Sequence, residues 1–180
     1  QLPINLEGIS ESPSDNLKNA FMVFIAKNEV GYSNLINLSS EFHLNESNKL
    51  NGLALEKITD RSDGIICMSG GVEGPINRLF GDTKEKLARI LTERLIKIFG
   101  DRFYFELNRH PSEEARKEKA AYIEELMLRS ADFYNIPLVA TNDVYFLNKS
   151  FYEPHDALLC IADGNYVDQK KARRSLSQDH

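Results

Sequence analysis

The chain has 180 residues, of which 42% are hydrophobic and 27% charged. That is ordinary globular composition, which excludes disorder along the whole length and suits one domain or a large piece of one. The net charge of -5 argues against a dedicated nucleic-acid-binding module, which would carry a basic excess.

Pro3 to Glu7 reads as a strand already under way, with no initiating Met before it, so the chain reads as a fragment. Residues 18–26 form a continuous apolar run suited to a buried strand. Asn28 can cap a helix running to about Leu44, with Tyr32, Leu35, Ile36, Ser39 and Phe42 on one face. Residues 64–68 make a second short buried strand. Pro75 fits the first turn of a small helix ending near Gly81. Asp82 or Thr83 is expected to cap a long helix with Leu87, Ile90, Leu91, Arg94, Leu95 and Ile98 at helical spacing and Gly100 beyond its end. Residues 102–107 read as a third strand. Ser112 opens a helix to about Tyr134, helped by Glu113 and Glu114 at its positive end, with a stripe of Tyr122, Leu126, Arg129 and Phe133. Residues 137–141 make a fourth buried strand, and a last helix covers roughly 154–162. Apolar strands alternating with long helices give an α/β fold with a parallel sheet or barrel.

Cys67 and Cys160 each lie in apolar runs with no partner at zinc-ligand spacing, so both read as buried free thiols. Free thiols suit a cytoplasmic protein. The longest apolar stretch, 20–26, is far too short to cross a bilayer, and residues 1–20 lack the pattern of a signal peptide. No membrane contact is expected. The basic run at 170–174 reads as a solvated connection.

Ligand sites in parallel α/β folds lie at the C-terminal ends of strands. Three such ends carry polar groups: Ser69-Gly70-Gly71, Glu106-Leu107-Asn108-Arg109-His110, and Thr141-Asn142-Asp143-Val144-Tyr145. Singly they read as a tight turn, a loop histidine before Pro111 and an Asx-type turn. Together they hold residue types that a zinc or manganese site uses. His110 and Asp143 qualify as ligands, with Glu106 or Glu73 as extras, and a site needs at least three. His155 reads as packing or capping at the start of the last helix, and His43 sits at the negative end of its own. No phosphate-binding G-x-x-x-x-G-K-[ST] loop, nucleophile elbow or H-E-x-x-H is present.

Five ordered motifs carry a resemblance. They are Asn28-x-x-Gly31-Tyr32-x-Asn34-Leu35, Gly64 to Gly71, Arg102 to Leu107, Val139 to Val144, and His155 to Ile161. In order and spacing they resemble the PHP (polymerase and histidinol phosphatase) domain of bacterial DNA polymerase III alpha subunits. The resemblance implies a portion of a seven-stranded, distorted (βα) TIM-like barrel. It implies a partial PHP domain over 1–162, lacking its first strands and motifs, and a connection toward a palm and thumb region over 163–180. Family members with an intact site hold a metal cluster and can have 3′–5′ exonuclease or phosphoesterase activity. Where their metal-binding version has Cys and His, this chain has Gly71 and Tyr145. His110 and Asp143 match and stand as vestigial ligand positions. The expected role is therefore a degenerate domain, a scaffold and docking site for the proofreading exonuclease subunit, alongside other polymerase III holoenzyme subunits. DNA would be contacted through the parent protein. The fragment is expected to be inactive alone and to hold no tightly bound cofactor. Mg2+ would serve the parent polymerase, and zinc or manganese would enter only if the PHP site were active. The alternative is a metal-dependent PHP-type phosphoesterase.

Overall fold

The structure is a computed structural model that describes residues 1–5, 20–109, 114–142 and 144–169, with the backbone alone for 114–118. Among these residues the strands are β1 (Leu2–Asn5), β2 (Phe21–Ala26), β3 (Leu53–Ala54), β4 (Ile65–Met68), β5 (Phe103–Asn108) and β6 (Leu138–Thr141). The helices are α1 (Glu29–Leu44), α2 (Glu46–Asn51), α3 (Leu55–Thr59), α4 (Pro75–Gly81), α5 (Glu85–Phe99), α6 (Glu114–Tyr134) and α7 (Tyr152–Asp163). The strands form one sheet in the order β3-β1-β2-β4-β5-β6. Pairings β3–β1, β4–β5 and β5–β6 are parallel, while β2 runs antiparallel to both β1 and β4. The α/β class holds, as a piece of a (βα) barrel requires. The sheet is mixed where an all-parallel one was expected, because β2 opposes both its neighbours.

Successive side chains of a strand point to opposite faces, and burial follows that alternation. Ile65 and Cys67 of β4 and Phe103 and Phe105 of β5 are buried in one core with Ile76 and Leu79 of α4, Leu91 and Leu95 of α5, and Met127 of α6. The other face carries Ile66, Met68 and Tyr104, which are half-buried, and Ile25, which is exposed. Strand β6 is an edge strand with Leu138 and Ala140 exposed. It was expected to be buried, but the core helices pack on β4 and β5 and leave it uncovered.

The Asn28 side chain caps α1 by accepting the Gly31 N–H at 2.9 Å. The core side of α1 is Gly31 and Leu38, with Leu35 and Phe42 packed beside them, while Tyr32 and Ile36 are exposed. The expected stripe is thus turned aside, and Gly31 is the reason. A Cβ there would stand 1.9 Å from the carbonyl oxygen of Gly64, so the helix meets β4 backbone to backbone. Asn34 Nδ2 adds a hydrogen bond to the carbonyl of Asp63 at 3.0 Å. Arg102 holds the same turn from the other side, donating to the carbonyls of Ser62 at 2.5 Å and Ile65 at 2.6 Å.

Neither Asp82 nor Thr83 caps α5. Asp82 closes α4 instead, the Thr83 and Lys84 N–H groups still bond back to Phe80 and Leu79, and Thr83 adopts φ 58°. Arg94 of the expected α5 stripe is exposed, whereas Leu91 and Leu95 are buried. On α6 the core-facing residues are Met127 and Ala131, flanked by Ile123, Leu126 and Tyr134. From the expected stripe, Tyr122 bonds Glu85 at 3.2 Å, Arg129 pairs with Glu125 at 2.5 Å, and Phe133 is exposed. Ser112, expected to open α6, lies outside the described residues.

Both cysteines are buried and neither forms a disulfide, as expected. Burial pushes the Cys67 thiol well up, which keeps it protonated and chemically quiet. No helix among the described residues is long and apolar enough to cross a membrane.

The Gly31–Gly64 approach has a measurable consequence. Gly31→Ala is expected to cost about 2 kcal/mol or more, because a methyl group has no room against backbone. Ser33→Ala, on the exposed side of the same helix, should stay within about 0.5 kcal/mol. Urea unfolding compares the two; equal effects would remove the close approach as a determinant of the fold.

Candidate functional site at the strand ends

The C-terminal ends of β4, β5 and β6 form the mouth where a ligand site was sought. Beyond Met68, the Ser69 N–H donates to the Tyr104 carbonyl at 3.0 Å. The Ser69 hydroxyl oxygen accepts the Glu106 N–H at 2.9 Å, and Glu106 Oε2 accepts the Gly70 N–H at 3.1 Å. Ser69 is fully buried and Glu106 is 9% exposed. The chain crosses itself twice here, so the buried carboxylate is satisfied by a backbone donor. Gly70 must be glycine for two reasons: its φ is 88°, and a Cβ would lie 1.9 Å from the Phe21 carbonyl oxygen.

Gly71 opens a short 3-10 turn with φ 57°, and a Cβ at that position would lie 3.8 Å from the Glu106 carboxyl carbon. Position 71 therefore borders the Glu106 carboxylate, which is why a side chain there would matter. Glu73 is turned outward and pairs with Arg78, so it is no ligand extra at the mouth. His110 and Asp143 lie outside the described residues. Tyr145 is turned toward α7, its ring centroid 5.6 Å from that of His155. His155 also sits 5.8 Å from the ring of Phe146, so it packs in the first turn of α7, as expected of a residue at the start of that helix. His43 lies edge-on to Phe42 at 4.9 Å.

Two residues that the sequence places at the strand ends were not taken there as candidates. Asn108 and Thr141 are register partners across β5 and β6, and their side-chain oxygens are buried with no hydrogen-bond partner among the described residues. Asn108 shares a strand face with Glu106 through the period of two, which was readable. Its pairing with Thr141 needed the register. The described donors at the mouth are thus a carboxylate, an amide oxygen and a hydroxyl. These are hard oxygen groups that suit water or a weakly held hard cation better than zinc, which favours thiolate and imidazole. Among the described residues no three His, Cys, Asp or Glu side chains come together.

A half-open α/β sheet with a helix-covered face and polar strand ends defines a class, and sequence comparison identifies which. The PHP domain profile matches residues 5–110, and the chain belongs to the PHP domain family. Among curated proteins it is similar to DNA polymerase III subunit alpha of Caulobacter vibrioides (strain NA1000 / CB15N), 39% identical over 95% of this chain and 15% of that protein. The protein of the same name from Rickettsia bellii (strain RML369-C) is 40% identical over 84% of this chain and 13% of its own length. That from Haemophilus influenzae is 34% identical over 83% and 12%. The chain therefore spans about a seventh of the length of these relatives.

The double crossing between β4 and β5 is open to test. Glu106→Ala leaves the part-buried Gly70 N–H without this acceptor and is expected to cost about 2 kcal/mol, whereas Glu106→Gln keeps an acceptor and should cost less than about 1 kcal/mol. Chemical denaturation of the two variants decides. Equal losses would mean that the Gly70 contact contributes nothing.

Proposed function

We propose that this chain is the PHP portion of a bacterial replicative DNA polymerase, and that it serves there as a non-catalytic scaffold that docks the proofreading exonuclease subunit. The observation that carries the reading is the mouth itself. Ser69, Gly70 and Glu106 bond one another, residue 71 has no side chain, and Tyr145 faces α7. A hydrolytic metal cluster needs ligands that are free to bind and numerous enough to hold. His110 and Asp143, as vestigial positions, would offer too few. With 3′–5′ hydrolysis delegated, the remaining demands on the domain are folding and contact. A core filled by strand and helix side chains lets loops and outer helix faces vary without loss of fold. Docking would hold a nuclease at high effective concentration near the primer end. The polymerase reaction, its Mg2+, the DNA contacts and the other holoenzyme subunits belong to the rest of the longer polypeptide and its assembly. In this reading, residues 163–180 connect the domain to that remainder.

Titration calorimetry of the full-length polypeptide with its exonuclease subunit tests the docking role. Binding is expected, and His110→Ala and Asp143→Ala should leave it within about twofold, since a contact patch that does not use those groups loses well under 1 kcal/mol. No binding by the full-length wild type would overturn the docking role. Loss of binding in the two variants, with folding intact, would mean that the ligand positions are still in use.

A further inference from the structure

Helix α5 is basic on its outer side, in a chain whose net charge is -5. Lys86, Arg89, Arg94 and Lys97 are all exposed. At the period of an α-helix they share one face, opposite Leu91 and Leu95 in the core. The row from Lys86 to Lys97 is about 16 Å long at the rise of such a helix. Cations on α2, α3 and α6 have carboxylate partners: Lys49 pairs with Glu46, Lys57 with Glu41 and Arg129 with Glu125. None of these α5 cations has an ion-pair partner among the described residues.

Carboxylates that could pair with them are present but turned away. Glu85 precedes Arg89, and Glu93 precedes Lys97, at the i,i+4 spacing and in the order that favour a helical ion pair. Glu85 instead accepts the Tyr122 hydroxyl at 3.2 Å, and Glu93 accepts the Tyr134 hydroxyl at 2.7 Å, both from α6. Burial and then the Glu93 bond push the Tyr134 hydroxyl up to about 12, so it remains a donor at neutral pH. Among the cations lies Ile90, half-buried and packed on the core. The face is therefore a row of cations without ion pairs around an apolar spot.

We propose that the outer face of α5 binds an acidic segment of another protein, one in which Asp and Glu residues flank a large apolar residue. Its carboxylates would reach Lys86, Arg89, Arg94 and Lys97, and its apolar side chain would lie on Ile90. Charge complementarity selects this occupant. The two arginines can each take a carboxylate through a pair of parallel hydrogen bonds. A nucleic-acid duplex fits less well. Its phosphates bring charge with no apolar group to set on Ile90. It would also meet the Glu93 carboxylate within the row, on a chain of net charge -5. A protein segment can place a neutral residue opposite Glu93, which a regular line of phosphates cannot do.

Lysine acetylation rates in the full-length polypeptide, read peptide by peptide by mass spectrometry, test this. The probe is a synthetic peptide of about ten residues, long enough when extended to cover the row, made of Asp and Glu around one central Leu. A second peptide carries Asn and Gln in place of the acids. With the acidic peptide in large excess, acetylation at Lys86 and Lys97 is expected to slow at least about threefold, as for a site occupied more than about two-thirds of the time. Lys49 and Lys57, paired on other helices, should keep their rates. Arg89→Glu combined with Arg94→Glu, both at exposed positions, should raise the peptide concentration for half-protection at least about fivefold while Tm is retained. Equal protection by the neutral peptide overturns the proposal, as does no protection at either lysine, or protection undiminished in the double variant. So does protection by a DNA duplex that the acidic peptide fails to reproduce. Protection without any probe, appearing only at concentrations where two copies associate, would assign the face to a second copy and overturn it as well.

Discussion

A buried carboxylate bonded to a backbone amide fixes the mouth of this sheet. Glu106 accepts the Gly70 N–H while its own N–H is accepted by Ser69, and Gly70 in turn lies so close to the Phe21 carbonyl that a Cβ would stand 1.9 Å away. The ends of β4 and β5 and the start of β2 are therefore set relative to one another by one short segment. Burying a carboxylate is costly unless its oxygens find donors, so this segment cannot drift without exposing the cost. At the opposite end of β4, the contact between Gly31 and Gly64 and the Arg102 bonds to the Ser62 and Ile65 carbonyls hold the strand again. With β4 held at both ends, α1, α4, α5 and α6 have a fixed surface to pack on.

This arrangement separates two jobs that a hydrolytic barrel would combine. The helix-covered face is closed and carries the stability. The strand ends are polar, and their described groups bond one another or stand as hard oxygen donors. The proposed scaffold reading rests on the Ser69, Gly70 and Glu106 groups that bond one another at the mouth, beside which Asn108 and Thr141 keep side-chain oxygens with no partner among the described residues. Elsewhere, at β6 and α7, apolar side chains meet solvent.

Much of the fold was legible because its signals are local. Asn28 as a cap, Pro75 at the first turn of α4, and the apolar runs of β4 and β5 follow from single residues and short periods. The missed elements lie over 46–59, where α2 is polar and β3 and α3 are two and five residues long, too short to show a period. The misjudged face of α1 has a definite cause. Hydrophobicity ranks Tyr32 and Ile36 above Gly31, but a glycine that admits backbone contact decides which way α1 faces. The caps expected at Asp82 and Thr83 failed because the chain was still closing α4. At the candidate site, the Ser-Gly-Gly turn and Glu106 stood out in the sequence, but their mutual hydrogen bonds depend on the parallel pairing of β4 with β5. Likewise, only the register of β5 and β6 brings Asn108 to Thr141.

The scaffold reading turns on what holds the mouth together, protein groups or metal ions. Elemental analysis of the full-length polypeptide after exhaustive dialysis, paired with its Tm in the presence and absence of a chelator, measures that directly. The expected result is fewer than about one transition-metal ion per chain and a Tm unchanged by the chelator, because a site short of ligands holds metal weakly and contributes little to folding. Two or three retained transition-metal ions per chain, about the number a working cluster requires, with a Tm that falls on chelation, would contradict it.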